Sequence, residues 1–200
     1  MTDARPTLRS LLALPDTPAS LAKSALVLID CQNTYREGIM QLEGVEPALK
    51  QCARLLQRAR DAGVPVFHIQ HDAGPGTPYD VRAPIGAIAD IVAPAAGEPV
   101  IVKAYPSSFE QTGLDAELKE RGVTDLVIAG FMTHVCVNST ARAAFNHGYR
   151  ATVVGNATAT RALANPVGGT ISAEAMHNGA LTALSDIFAI VVPSEDKIPA

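Results

Sequence analysis

Three residues of this chain have types and places that suit hydrolytic chemistry. Cys136 stands in "GFMTHVCVNSTARAAFNHGYR", where an apolar run, "LVIAG", ends and a helical pattern begins. Asp30 closes the apolar run "SALVLID", and Lys103 closes "PVIVK". A cysteine next to a cation and a base can attack a carbonyl carbon and carry the acyl group as a thioester. The helix predicted to start at Cys136 puts its sulfur near free N–H groups and the positive end of the helix dipole. Both favour thiolate, and Lys103 favours it further; the free thiol, with a pKa of ~8.5, is only slightly ionised at neutral pH. Asp30 can take the thiol proton and return it to a leaving group. Backbone N–H groups of the tight "GFMTHVC" turn can hold a developing oxyanion.

Each residue alone has a plainer reading. Aspartate at a strand end is usually a turn or cap residue, lysine there is usually solvated, and cysteine is often a small core residue. Convergence decides for chemistry, because in open parallel sheets ligands gather outside the carboxyl ends of the strands.

The elements that must bring the three together follow a repeated pattern. A helix-like segment, a basic residue, a glycine and a β-branched run recur in "LLQRARDAGVPVFHIQ", "LDAELKERGVTDLVIAG" and "ARAAFNHGYRATVVG". Glycine just past a helix suits the left-handed C′ position, and basic residues in the last turn suit the dipole. Helices alternating with short apolar strands are βαβ units around a parallel sheet. With "SALVLID", "PVIVK" and "IFAIVV" added, the reading is an α/β three-layer α/β/α sandwich, Rossmann-like, with a mostly parallel sheet of about six strands. Residues 1–200 form a single domain in which 1–20 are an N-terminal extension, and Asp72 to Pro99 is a long loop of the kind that often binds ligands.

The remaining cysteines and histidines are assigned more ordinary work. Leu49, Cys52 and Leu56 share a helix face, so Cys52 packs in the core. Cys31 points away from Asp30 and packs as well. His68 and His71, three apart on a strand, face opposite sides with no third ligand in view, so no metal is expected. His134 is a weaker candidate base than Asp30, because two residues of turn is a poor geometry for a Cys–His dyad. His147 belongs to a helix C-terminus, and His177 is core, surface or pocket lining. There is no GxSxG, GxGxxG or GxxxxGK[ST] motif, which removes support for serine-hydrolase, dinucleotide and P-loop readings.

Composition sets outer bounds. The 200 residues carry a net charge of −4, with 48% hydrophobic and 18% charged residues, which suits one globular domain. Neither a nucleic-acid nor a membrane partner is expected, since there is no basic block and no apolar run of ~18 residues. Three cysteines without CxxC spacing and an N-terminus without a signal-peptide pattern point to a reduced, cytoplasmic protein.

Three blocks, "ALVLIDCQN", "VIVKAYPSSF" and "GFMTHVCVNSTARAAFNHGY", resemble in type and order the signatures of the isochorismatase-like cysteine hydrolases. The resemblance implies a catalytic triad of Asp30, Lys103 and Cys136, a non-proline cis peptide between Phe131 and Met132, and an oxyanion hole made by the N–H groups of Met132 and Cys136. Around it Gln32, Tyr105, Phe109 and His177 are candidate substrate-binding residues, although Tyr105 and Phe109 read equally well as packing aromatics. The resemblance further implies a homodimer or homotetramer, a small-molecule substrate and no cofactor. Two departures narrow the activity. The metal-binding Asp-x-His of nicotinamidases is missing from "HIQHDAGPGTP", and Cys136 is present where isochorismate hydrolases generally lack a nucleophile. Asn156 stands where the family usually has an acid. The expectation is a metal-independent hydrolase of a small amide-like C–N bond. The alternatives are an isochorismate-type ether hydrolase and a non-catalytic binder or redox thiol protein.

Overall fold

The computed structural model describes residues 5–200. In chain order its elements are α1 (Leu8–Leu11), β1 (Ala25–Ile29), α2 (Val45–Asp61), β2 (Val66–His71), β3 (Val100–Lys103), α3 (Leu114–Glu120), β4 (Asp125–Phe131), α4 (Asn138–Asn146), β5 (Arg150–Ala159), the two short strands β6 (Leu163–Ala164) and β7 (Thr170–Ile171), α5 (Ala173–Asp186) and β8 (Ile190–Val192). Six strands form one parallel sheet in the order β3-β2-β1-β4-β5-β8. The chain winds outward from β1 to β3, then restarts at β4 on the other side of β1. The β1/β4 boundary is therefore the switch point, where ligands bind in such sheets.

Alternation along the strands builds two cores. Leu26 and Leu28 of β1, with Val127, Ala129 and Phe131 of β4, face α2, whose Leu49, Cys52, Leu55 and Leu56 cover them. Val27, Ile29, Leu126 and Ile128 face the other way, onto Leu114 and Leu118 of α3, Ala141 and Ala144 of α4 and Leu184 of α5. Both faces of the central strands are covered, which is why these strands read as continuous apolar runs. Truncating a fully buried leucine here, such as Leu49, costs about 2–5 kcal/mol.

Two glycines are demanded by the backbone. Gly63 ends α2 with a φ of 64°, the C′ position expected of it. Gly130 has a φ of 112°, and a Cβ there would lie 2.0 Å from the carbonyl oxygen of Ile29 and 2.7 Å from its nitrogen. Only glycine lets β4 approach β1 this closely.

Some boundaries differ from the sequence expectation. Of "IFAIVV", only Ile190–Val192 is strand, because Ile187 and Phe188 finish the turn after α5. The Asp72–Pro99 loop is irregular apart from short turns at Pro84–Gly86 and Asp90–Val92. The expected extension is docked onto the domain: the Leu8 N–H donates to Asp186 at 2.9 Å and the buried Arg9 donates to the Ile187 carbonyl at 2.9 Å. Residues 1–4 of it lie outside the described residues. Among the described residues no helix is long and apolar enough to cross a membrane.

Candidate active site

Strand register assembles the site at the carboxyl edge of the sheet. Ile29 pairs with Ile69 and Gly130, and His71 pairs with Lys103, so the ends of β1, β2, β3 and β4 lie side by side. Asp30 follows β1 with a φ of 48°, a left-handed conformation that costs a non-glycine residue of order 1 kcal/mol. Its N–H donates to the Ile69 carbonyl at 2.9 Å, and its own carbonyl accepts from the Gln32 N–H at 2.7 Å. The left-handed step turns the carboxyl inward beneath the strand ends.

Lys103 is the hub. Its Nζ lies 2.8 Å from Asp30 Oδ2, 3.4 Å from Cys136 Sγ and 3.3 Å from His71 Nδ1. Asp30 and the Lys103 side chain are fully buried, and Cys136 nearly so. Asp30 Oδ1 has no hydrogen-bond partner among the described residues. An unpaired buried carboxylate oxygen costs free energy and is rarely retained without use.

Cys136 lies on a single wide, π-type turn, Thr133–Val137, that precedes α4. The N–H groups of Val135 and Val137 both donate to the Met132 carbonyl, at 3.0 and 3.2 Å. The peptide between Phe131 and Met132 is cis. The thiolate expectation is corrected here: Cys136 is not the first residue of a helix, and its thiol is pushed up to about 12. Burial is the main cause and the Asp30 charge adds to it, with Lys103 offsetting part. Burial likewise raises Asp30 above the ordinary carboxylate range, while Lys103, the thiol and His71 pull it back by less. The resting site therefore favours a neutral thiol beside a carboxyl whose affinity for a proton is raised.

The surroundings include residues that spacing alone does not find. Tyr35 stacks edge-on with Phe131 at 5.7 Å and Tyr79 at 5.8 Å, and Tyr79 meets His71 edge-on at 5.0 Å. Burial chiefly raises the Tyr35 and Tyr79 hydroxyls, and the neighbouring Asp30 and Cys136 add to it. Tyr79 comes from the long loop, so the loop contributes a side chain to the surroundings of His71 and Tyr35.

The other candidates divide. His177 binds Thr133 Oγ1 through Nδ1 at 3.0 Å. It lines a cavity of about 310 Å³ with Glu43, Asn156, Thr158, Thr160 and Glu174. His134 bonds Thr160 instead of Cys136. Gln32 is not free for a ligand: buried, it donates to the carbonyls of His71 at 3.0 Å and Gly86 at 2.7 Å and accepts from the His71 N–H at 2.9 Å. Phe109 stacks on His147 at 4.9 Å and on Tyr149 at 5.7 Å, at the far end of α4 from Cys136, and is a packing aromatic. Tyr105 is exposed, its hydroxyl accepting from Gln111 at 3.4 Å, and with Asp72, Lys103 and Gln111 it lines a separate cavity of about 250 Å³. Cys52 packs in the core as expected, its sulfur 3.2 Å from the Ala157 carbonyl, and Cys31 is buried beside it. No group of three or more His, Cys, Asp or Glu capable of holding a metal occurs among the described residues.

Arg161 completes the picture. It follows β5 with its Nε buried and unpartnered, and its Nη1 reaches only the Met40 sulfur, at 3.7 Å. No carboxylate pairs with it among the described residues. Burial chiefly raises Tyr79 and lowers His134; the Arg161 charge opposes the first shift and adds to the second, so it acts on groups beside the site.

Comparison with known proteins matches this architecture. The family model of the isochorismatase domain covers residues 24–196. The chain belongs to the isochorismatase family. It is 37% identical to an isochorismatase of Pseudomonas putida KT2440 of known crystal structure, with a TM-score of 0.92 over 95% of this chain and 97% of that one. It is 32% identical to a secreted isochorismatase effector of Verticillium dahliae, over 94% of this chain and 97% of the relative. It is 30% identical to a ureidoacrylate amidohydrolase of Methylobacterium radiotolerans, over 88% of this chain and 80% of the relative. Isochorismatase-family membership makes this chain an enzyme, a hydrolase.

Proposed function

We propose that this isochorismatase-family hydrolase cleaves the C–N bond of a small amide through a thioester on Cys136. Asp30 Oδ1 takes the thiol proton as Sγ bonds to the carbonyl carbon. The carbonyl oxygen, now negative, receives the N–H groups of Met132 and Cys136. As it collapses, the C–N bond breaks and Asp30 hands the proton to the departing nitrogen. A water, deprotonated by Asp30, then attacks the thioester, and the sulfur leaves with the proton. Lys103 holds the carboxylate and sulfur together throughout and compensates whichever is charged. A thiol that is neutral at rest suits this order of events, because attack and proton transfer then proceed together.

One observation carries the reading: a shared ammonium 2.8 Å from Asp30 and 3.4 Å from Cys136, with the second carboxylate oxygen left open. The unpaired Arg161 adds a preference for amides that also bear a carboxylate, since a guanidinium without a protein partner favours a planar anion. The amidohydrolase among the relatives supports an amide as substrate.

The test is intact-protein mass spectrometry of wild type and Cys136→Ala with a panel of small amides, with and without a carboxylate. An acyl adduct on wild type alone, with product released, is the expected result. Amide turnover that survives Cys136→Ala would replace the thioester with direct attack by a water that Asp30 deprotonates, and absence of both adduct and turnover across the panel would remove the amide reading.

A further inference from the structure

We infer that His71 is a positioning residue of the site, whose Nδ1 lone pair receives an N–H of Lys103 and keeps that ammonium aimed at both Asp30 and Cys136. The inference rests on the hydrolase reading for its purpose and on geometry for its content.

An ammonium has three N–H donors and no acceptor. On Lys103 they meet Asp30 Oδ2, Cys136 Sγ and His71 Nδ1. The last contact is a hydrogen bond only if Nδ1 is unprotonated, so the ring must be neutral with its proton on Nε2. Without this acceptor a buried lysine would carry one unsatisfied donor and could swing away from the thiol.

The structure invests in the placement of this one side chain. His71 and Lys103 are paired in register on β2 and β3. Gln32 engages the N–H and the carbonyl of His71 at once, at 2.9 and 3.0 Å, and Tyr79 stands edge-on to the ring. The charged and titratable groups facing the ring are Lys103 from β3, Asp30 after β1, the adjacent Asp72 and Tyr79 from the loop. Asp72 is already engaged by Arg82 at 2.8 and 2.9 Å. Burial first and Lys103 second lower the ring below the ordinary imidazole value, with Asp30 and Asp72 offsetting part. Protonation in acid would set two cations against each other and turn the ammonium from its partners.

The first arm of the test reads the tautomer directly. Two-bond ¹H–¹⁵N spectra of wild type, with His71→Asn to assign the signal, are expected to show His71 neutral and protonated on Nε2 at pH 7, with imidazolium forming only at a pH below the ordinary imidazole range. A ring that is protonated on Nδ1, or cationic at pH 7, would overturn the inference. The second arm follows alkylation of Cys136 by iodoacetamide from pH 5 to 9, located by peptide mapping. His71→Ala is expected to slow it about 10-fold or more. His71→Asn, whose Oδ1 supplies an acceptor near the Nδ1 position, should recover most of that loss and erase the acid inflection. Equal rates and profiles in all three proteins would overturn the inference. Neither arm depends on hydrolysis of an amide, so failure of the hydrolase reading and failure of this one give different results.

Discussion

The strand pair β2–β3 carries an ionic cluster at each end, and the two are built on opposite principles. At the amino end, Glu98 accepts from Arg60 Nε and Nη2 at 2.7 and 2.8 Å, from His68 Nε2 at 2.8 Å and from the Ala95 N–H at 2.8 Å. These partners, Arg60 first, hold its carboxyl down at about 2. At the carboxyl end, Asp30 has one partner oxygen and one open one, and burial pushes its carboxyl upward. A saturated carboxylate is fixed in its charge and serves the fold. One that is buried and half-satisfied can exchange a proton, and that is the condition for acid–base work. Incomplete satisfaction, more than the presence of charge, distinguishes the reactive end.

Substitutions can break this contrast. The largest effect is expected at the reactive end: Cys136→Ala and Asp30→Asn should each lower kcat by about 10³-fold or more on an amide that wild type turns over. Asp30→Asn should also lose about 3–5 kcal/mol, because it leaves the Lys103 ammonium buried without a counter-charge. A chemical-denaturation midpoint together with an initial rate reads both. If stability falls and activity does not, Asp30 belongs with Glu98 as a structural acid.

Glu98→Gln should show the converse, a loss of about 2–3 kcal/mol with kcat within roughly threefold of wild type. Its sign with pH is set: the folded carboxyl is depressed, so its contribution is whole above the ordinary ~4.3 and fades as the pH falls toward about 2. The variant's stability should therefore fall less steeply than wild type between pH 5 and 2. An unchanged acid slope would show that this cluster contributes nothing.

Arg161→Gln is expected to raise KM about 10-fold or more for a carboxylate-bearing amide and to leave a neutral one within twofold. Equal effects on both would remove the anion preference. The smallest change is expected at Phe109→Leu, about 1 kcal/mol of stability with rates within twofold. A large loss of kcat there would return Phe109 to the binding residues.

The fold was legible because its signals are local. Apolar runs bounded by glycine and amphipathic helices with basic ends mark βαβ units wherever they stand, and Asp30, Lys103 and the Cys136 turn are each the terminus of such a run. What was hidden depends on relations across the chain. His71 looks like a strand residue with a poor metal geometry until register sets it against Lys103, 32 positions away. Tyr79 and Arg161 sit in irregular segments, where no period predicts direction. The ionisation of Cys136 departs from the sequence expectation for a related reason. Sequence shows that a helix follows, but not that a wide turn intervenes or that the sulfur is buried beside a carboxylate.

The contact of Gly130 with Ile29 has a consequence for how such a site can change. The acid is one residue beyond Ile29 and the thiol six beyond Gly130, so the separation of the two is set by main chain resting on main chain, with no side chain between. Repacking the core cannot retune a spacing to which core side chains do not contribute. A saturation library at position 130, selected for activity, is expected to return glycine alone, while one at Tyr79 returns many residues. New substrates are then open to this scaffold through its long loop, and the distance at which its chemistry happens stays where the two strands put it.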